Sequence, residues 1–448
     1  MRNKSTIETL PEIVVGLDIG TTKIAVIVGS RTPDGKIDIH GYGKGESTGI
    51  QHGLIYNLKK TTEGINIAKE NAQTRLNQDF DSVYVGVAGR HIKSVEYKHT
   101  FTRINGKDQI IKQEEIDNIL EDLKNISISP GEQIISVIPQ RFIIDKRRET
   151  FEPVGEVGEV IDGYFQIMTG NEEEINKIIR CVHDADLQVK TIILEPIASG
   201  LSCLSQEEKK HGVVLVDIGG GTTDVAIFMD GEPVFVRVIP IGGNVITKDI
   251  ATVCKIPEEI AEKLKTTYGT CIVEKSNSNN FITIPQLHAL NPIQISETSL
   301  AQIIHARVQE GILNEVRAAI EKSGYADKIK SGIVLTGGGS TLKHLKEFFQ
   351  YSFHCPVRMG IPEMGFSNLL DLKHPMYATG LGLLKYGIEK DNQISIDASE
   401  SRKDKFTEKN KKDKRKEKPN DNINFRSYVS NFFAAVTDFL DGFIEKAE

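Results

Sequence analysis

Two aspartates, each at the end of an apolar strand and followed by a glycine/threonine turn, stand about two hundred residues apart in this chain. The first sits in Val14-Val15-Gly16-Leu17-Asp18-Ile19-Gly20-Thr21-Thr22-Lys23-Ile24-Ala25-Val26-Ile27. The second sits in Val213-Val214-Leu215-Val216-Asp217-Ile218-Gly219-Gly220-Gly221-Thr222-Thr223-Asp224-Val225-Ala226. These residue types in this order suit phosphate chemistry. Glycines let backbone N–H groups approach phosphate oxygens, and threonine hydroxyls add donors. An aspartate at the strand end offers the hard oxygen that magnesium prefers, through water. One such turn is a weak signal; two in tandem predict a cleft in which two similar domains grip a nucleotide from both sides. A third glycine turn, Thr336-Gly337-Gly338-Gly339-Ser340, lies between a buried strand and a helix, where a nucleoside or its α-phosphate would meet a helix N-terminus.

The elements that must position these turns follow from periodicity. Each turn joins two continuous apolar runs, the pattern of strands buried on both faces. Turn signals at Arg31–Lys36 and Met229–Pro233 add a third strand to each copy. A helix is predicted at about 60–77 and a strand at Val83–Ala88. From residue 89 the texture changes to alternating strands, with a helix at Gln113–Leu123, a strand near Gln133–Ile138 and the turn Pro153–Gly158. A further helix is predicted from about Glu172 to Ala185. The chain thus divides into a first core domain at 12–88 and 168–205, interrupted by an inserted α+β subdomain at 89–167. A second core domain at 206–246 and 331–390 is interrupted by a mostly helical insertion at 247–330. A charged linker at 391–424 and a terminal helix at 425–446 follow.

Composition excludes several alternatives. The chain has 448 residues, 26% of them charged, and a net charge of −7, which suits soluble domains large enough to bury substantial cores. No apolar run is long enough to span a bilayer, and the first residues lack the apolar core of a signal peptide. Five cysteines carry no paired spacing, so zinc and disulfide frameworks are not expected. Segment 401–420 holds ten Lys/Arg against four Asp/Glu and one aromatic, the composition of a disordered tether. Without interleaved aromatics it does not predict a nucleic-acid arm.

The last stretch is different. Phe425, Tyr428, Val429, Phe432, Phe433, Val436, Phe439, Leu440, Phe443 and Ile444 recur at three- and four-residue steps, giving one apolar helix face. A basic linker beside a phenylalanine-rich amphipathic helix fits a membrane surface, and docking back on its own core or on a protein groove is the competing use. Burying one such side chain contributes roughly 1.5–3 kcal/mol, against about 1 kcal/mol or more per residue for ordering the helix. A single helix should therefore bind reversibly, and firm attachment needs several copies side by side.

With Glu195–Gly200 and Ala378–Gly382 as connecting helices, the three glycine turns resemble the actin, heat-shock-chaperone and sugar-kinase ATPase superfamily. Within it the chain resembles the bacterial cell-division FtsA family over essentially its whole length. The resemblance rests on Asp18–Lys23, on Ile241-Gly242-Gly243-Asn244 with Ala261–Lys265, on Ile138-Pro139-Gln140-Arg141-Phe142 and Pro153-Val154-Gly155, and on the placing of insertion and tail. It implies an actin-like α/β fold: two related domains around a nucleotide cleft, each with an inserted subdomain, then a disordered linker and a membrane-targeting helix. It further implies binding of ATP with Mg2+, actin-like self-polymerisation at the cytoplasmic face of the inner membrane, tethering of FtsZ filaments, and recruitment of later division proteins. The C-terminal peptide of FtsZ would meet the second insertion. The long lysine-rich linker departs from the family pattern.

Residue roles follow from the turns and the resemblance together. Asp18 and Asp217 hold magnesium through water; Gly20, Thr21, Thr22, Gly219, Gly220, Gly221, Thr222 and Thr223 cradle phosphates; Lys23 places a positive charge beside them. Gly243, Asn244, Glu262, Lys265, Gly337, Gly338, Gly339 and Ser340 face the nucleoside. Glu262 and Lys265 equally fit an ordinary ion pair on one helix face. Glu195 stands where chaperone relatives carry a water-positioning carboxylate, or simply caps its proline-led helix; with Asp217 it is the catalytic candidate for a slow ATPase. Asp224 is expected to serve the turn. A pilus-assembly ATPase relative and a small-metabolite kinase share the fold and are the competing assignments.

Overall fold

The computed structural model describes residues 13–103, 109–284, 292–363 and 365–391. Strands Val14–Ile19 and Lys23–Arg31 form an antiparallel hairpin, and Ile37–Glu46 returns antiparallel beside it. In that third strand buried residues alternate with more exposed ones, as expected where one face meets the core and the other meets solvent. Parallel pairing then requires crossovers. Helix Leu58–Leu76 delivers Ser82–Val87 parallel to the first strand, and helix Glu172–His183 delivers Gln188–Leu194 parallel to that one. Both helices start at an asparagine cap: the Asn57 side chain accepts from Lys60 N, and that of Asn171 from Glu174 N.

The second half repeats the plan. Val213–Ile218, Thr223–Met229 and Glu232–Ile239 form the meander, and Ile333–Thr336 then Val357–Met359 extend it in parallel. In each sheet the third, second and first strands are followed by two crossover strands in the same order. A short strand, Phe366–Asn368, adds to the far edge of the first sheet. The first hairpin strands of both halves are buried throughout, matching their unbroken apolar runs.

Each half carries an insertion. In the first, Lys93–Thr102, Val160–Asn171, Glu132–Ile144 and Arg148–Thr150 build an antiparallel sheet. Helix Gln113–Lys124 buries Ile116, Ile119, Leu120 and Leu123 against one face of it. The sequence pattern suggested a strand ending near Ile138; the observed strand continues to Ile144. Pro139 is tolerated there because the ladder is already broken: Tyr164 pairs with Arg141 and Phe165 with Pro139, so Gln140 is an extra, bulged residue. The second insertion contains helices Gly243–Cys254, Glu258–Tyr268, Glu297–Arg307 and Asn314–Ser323, with a hairpin of Phe281–Ile284 and Ile293–Ser296.

The halves are joined by helix Glu195–Cys203 and a final helix over 378–391, which cross at very short range. A Cβ added at Gly382 would lie 1.8 Å from the Ala198 carbonyl oxygen, so only glycine permits the crossing. Asp391 ends the described chain, bonded to Tyr84 Oη at 2.6 Å and Lys190 Nζ at 3.0 Å. The linker beyond it and the helix of Phe425, Tyr428, Val429, Phe432, Phe433, Val436, Phe439, Leu440, Phe443 and Ile444 lie outside the described residues. Among the described residues no helix is long and apolar enough to cross a membrane. All five cysteines are free thiols.

Candidate functional site

A cavity of about 310 Å3 opens between the two halves. Its lining brings together Asp18, Gly20, Thr21, Thr22 and Lys23 from the first turn and Asp217, Gly219, Gly220, Gly221 and Thr222 from the second. Gly337, Gly338 and Gly339 from the third turn, Gly243 and Asn244 at a helix start, and Glu195, Glu262 and Lys265 complete the set. The two aspartate turns touch. A Cβ at Gly220 would lie 2.0 Å from Thr22 Oγ1, and one at Gly221 would lie 2.5 Å from Thr21 Oγ1. The Thr21 hydroxyl also accepts a hydrogen bond from Gly53 N at 3.2 Å.

Two residues expected in the cradle face elsewhere. Thr223 is the first residue of a buried strand and donates its hydroxyl to the Ile241 carbonyl at 2.7 Å. Ser340 is buried and donates to the Gly337 carbonyl at 2.7 Å, closing its own turn. The third glycine turn also differs from expectation: a single 3-10 turn, Gly338–Thr341, follows it, and the next α-helix begins only at Leu345. Backbone N–H groups at Gly243 and Asn244 are already bonded to the carbonyls of Gly219 and Gly220, at 2.9 and 2.8 Å. Their backbones therefore brace the second turn while both residues line the cavity. Glu262 and Lys265 pair at 2.7 Å, and both line the cavity. Lys265 Nζ also donates to the Gly243 carbonyl at 3.0 Å and to Thr247 Oγ1 at 2.8 Å.

The floor of the cavity is strongly acidic. Asp18, Glu195, Asp217 and Asp224 all line it, with Lys23 bound to Asp18 Oδ2 at 2.9 Å. Burial pushes the Asp217 carboxyl up to about 6, although Ser199 Oγ donates to it at 2.6 Å and Thr379 Oγ1 at 3.3 Å. Glu195 is raised well above the usual range, by burial first and then by the fields of Asp18, Asp224 and Asp217. Burial and Asp217 do the same to Asp224. Asp224 Oδ2 accepts from Thr222 Oγ1 within the turn at 3.5 Å, while its Oδ1 is buried with no hydrogen-bond partner.

That excess of negative charge, with a buried carboxylate oxygen left unpaired, fits a cation accompanied by phosphates. Among the described residues no three His, Cys, Asp or Glu side chains stand close enough to enclose a metal ion. A cation here would complete its shell with water and ligand oxygens, as magnesium commonly does. Sequence reasoning missed Ser199 and Thr379, which hold Asp217, because small polar residues within helices carry no motif. It also missed Lys44, Gly53, Met376 and Lys343, which reach the cavity from separate segments that only folding brings together.

Comparison with known proteins now decides the family. A model described as "Cell division protein FtsA" matches residues 214–382, and one described as "SHS2 domain inserted in FTSA" matches residues 89–169. FtsA of Pseudomonas aeruginosa is 35% identical over 380 residues, covering 85% of this chain and 90% of that one. The chain belongs to the FtsA family. FtsA of Neisseria meningitidis is 36% identical over 371 residues (82% and 88%), and FtsA of Escherichia coli K12 is 30% identical over 385 residues (84% and 91%). An FtsA-family protein acts in cell division, which sets aside the pilus-assembly and metabolite-kinase assignments.

Solved structures agree on the fold of this FtsA-family chain. The PilM-PilN type IV pilus biogenesis complex matches with a TM-score of 0.61 at 16% identity, covering 84% of this chain and 98% of that one. MreB5 of Spiroplasma citri bound to ADP matches with a TM-score of 0.53 at 14% identity, covering 86% and 98%. At such identities they establish the fold alone: actin-like, with two related α/β domains around a cleft.

Proposed function

We propose that this FtsA-family protein binds ATP with Mg2+ in the cleft, polymerises on the cytoplasmic face of the cell membrane, and tethers FtsZ filaments there while later division proteins are recruited. One observation carries the nucleotide assignment. Two glycine/threonine turns on matching hairpins face each other across a single cavity whose acidic floor contains an unpaired buried carboxylate oxygen. The MreB5 structures of similar fold are described as bound to ADP and to AMPPNP, which supports the same class of ligand here.

The chain's own residues supply binding and orientation. The N–H groups of Gly20 and Gly219 are taken by the Lys23 and Thr222 carbonyls, at 3.1 and 2.9 Å. The backbone N–H groups of Thr21, Thr22, Gly220 and Gly221 are therefore the ones that would donate to phosphate oxygens, and Lys23 adds charge. Asp18 and Asp217, through water, hold the cation, which when bound neutralises phosphate charge. Lys265 and Glu262 stiffen the nucleoside side through Thr247 and the Gly243 carbonyl. Glu195 lines the cavity with Asp18 and Asp217, where burial and then the fields of Asp18, Asp224 and Asp217 raise its carboxyl well above the usual range. On this reading turnover is slow at most, with nucleotide chiefly setting the polymerised state.

The tether itself rests on sequence features beyond residue 391: the basic linker and the phenylalanine-rich face. The second insertion is the surface assigned to the FtsZ C-terminal peptide. Liposome co-sedimentation of the full chain and of a 1–420 truncation, with and without ATP and FtsZ filaments, tests the whole assignment. The full chain should pellet with liposomes and carry the filaments, and the truncation should stay in solution. Equal pelleting of both forms would assign the helix to another use.

A further inference from the structure

The bulged strand of the first insertion carries a side chain across to the other half of the molecule. Gln140 is the extra residue at the break in register, and a bulge re-aims the side chain it carries. The target is Glu232–Ile239, an edge strand of the second core sheet, whose outer side meets no further strand among the described residues. Gln140 Nε2 donates to the Val234 carbonyl. Two positions further along the same edge, Gln166 Oε1 accepts from Val236 N at 3.0 Å and its Nε2 approaches the Val236 carbonyl at 3.5 Å. Gln166 is buried, and its amide stands in for the peptide of a missing strand. Tyr325, from the second half, donates its hydroxyl to Gln140 Oε1 at 3.2 Å.

The covalent connections make this contact consequential. The inserted sheet leaves the first core at 89 and returns to it at Asn171, directly into helix Glu172–His183. The edge strand Glu232–Ile239 pairs with Thr223–Met229, which begins at the second phosphate turn. The glutamines therefore join the half that carries the first turn to the half that carries the second, from outside the cavity lining. At the cavity the halves also meet directly, as in the contact of His52 Nδ1 with the Gly221 carbonyl at 3.4 Å.

We propose that Gln140 and Gln166, with Tyr325, form an interdomain clasp that restrains opening of the cleft and so sets the rate of ligand release. The clasp deepens the nucleotide assignment and rests on it for the ligand. Each lost neutral hydrogen bond should speed release about fivefold.

The test uses the full-length protein and the variants Gln140→Ala, Tyr325→Phe and Gln166→Met. Gln140 is half-buried at a bulge and Tyr325→Phe removes only a hydroxyl, so these two keep the test independent of any folding loss at Gln166. Release of a fluorescent ATP analogue is followed by chase with unlabelled MgATP. Backbone hydrogen exchange of the turns at 16–23 and 218–223 is followed without nucleotide. The expected result is faster release in each variant, with faster exchange at both turns as well as at 232–239. Faster exchange confined to 232–239, with release unchanged, would overturn the clasp. If the unaltered protein binds no analogue, the nucleotide assignment fails, and exchange at the turns alone decides whether the clasp restrains the cleft.

Discussion

Asp217 is buried, accepts hydrogen bonds from Ser199 and Thr379, and still has its pKa pushed up to about 6 by burial. Between the ordinary value of 3.8 and about 6, the folded protein binds more protons at this carboxyl than the unfolded chain does. Ligand-free stability should therefore fall as pH rises through that window. Asp217→Asn keeps an acceptor for both hydroxyls and removes the cost of a buried charge. It should raise the Tm of the ligand-free protein at pH 7.5, by the equivalent of at most about 3 kcal/mol, and flatten the Tm profile between pH 4 and 6. On the proposed role of Asp217 as one of two carboxylates that hold magnesium, the same change should weaken MgATP binding by about tenfold or more in a fluorescence titration. A variant that loses both stability and binding would argue for a structural role. A site that gives up stability for function is expected to show opposite signs.

At the level of elements, the two connecting helices are held at a separation that only glycine allows. A methyl group at Gly382 would meet the Ala198 carbonyl carbon and oxygen at 2.3 and 1.8 Å, both backbone atoms that cannot rotate away. Gly382→Ala should lower the urea midpoint, with a loss of about 1–3 kcal/mol. Gly338→Ala is the contrast, because its nearest neighbour would be Met376 Cβ at 3.7 Å. It should leave the midpoint nearly unchanged while crowding the cleft it lines. Gly337 differs from both: its φ is +81°, and an added Cβ would stand 2.2 Å from Asp217 Oδ1. There the glycine serves backbone conformation and the site together, so Gly337→Ala should cost both stability and ligand binding.

For the whole molecule, two repeated halves closing on one cavity make ligand binding and stability a single equilibrium. MgATP at a hundred times its Kd should add about 2.7 kcal/mol to the stability of the folded state. Thermal melting should show that gain with MgATP and lose most of it when EDTA removes the magnesium. No shift under either condition would count against the cleft as a nucleotide site. The proposed membrane attachment through the phenylalanine-rich tail would add a second coupling, because a single weak surface site binds loosely and many linked copies bind firmly. Membrane attachment should therefore rise steeply with protein concentration, and a plain hyperbolic dependence would count against assembly on the surface.

The sequence by itself determined the repeated strand–turn–strand units, the places where both insertions interrupt them, and the aspartates and glycines that line the cavity. These signals are local: apolar periodicity, turn chemistry and the short reach from an aspartate to its own turn. Register and contact between distant segments were decided only by the tertiary structure. Thr223 and Ser340 belong to the right motifs, yet their hydroxyls are taken by neighbouring carbonyls and turn away from the cavity. Ser199 and Thr379 lie 180 residues apart and meet at Asp217 only because Gly382 lets two helices cross closely. Gln140 follows a proline that appeared to end its strand, and a bulge continues the strand and aims the amide at another domain. Such placements depend on what packs opposite, which no spacing along a single chain records.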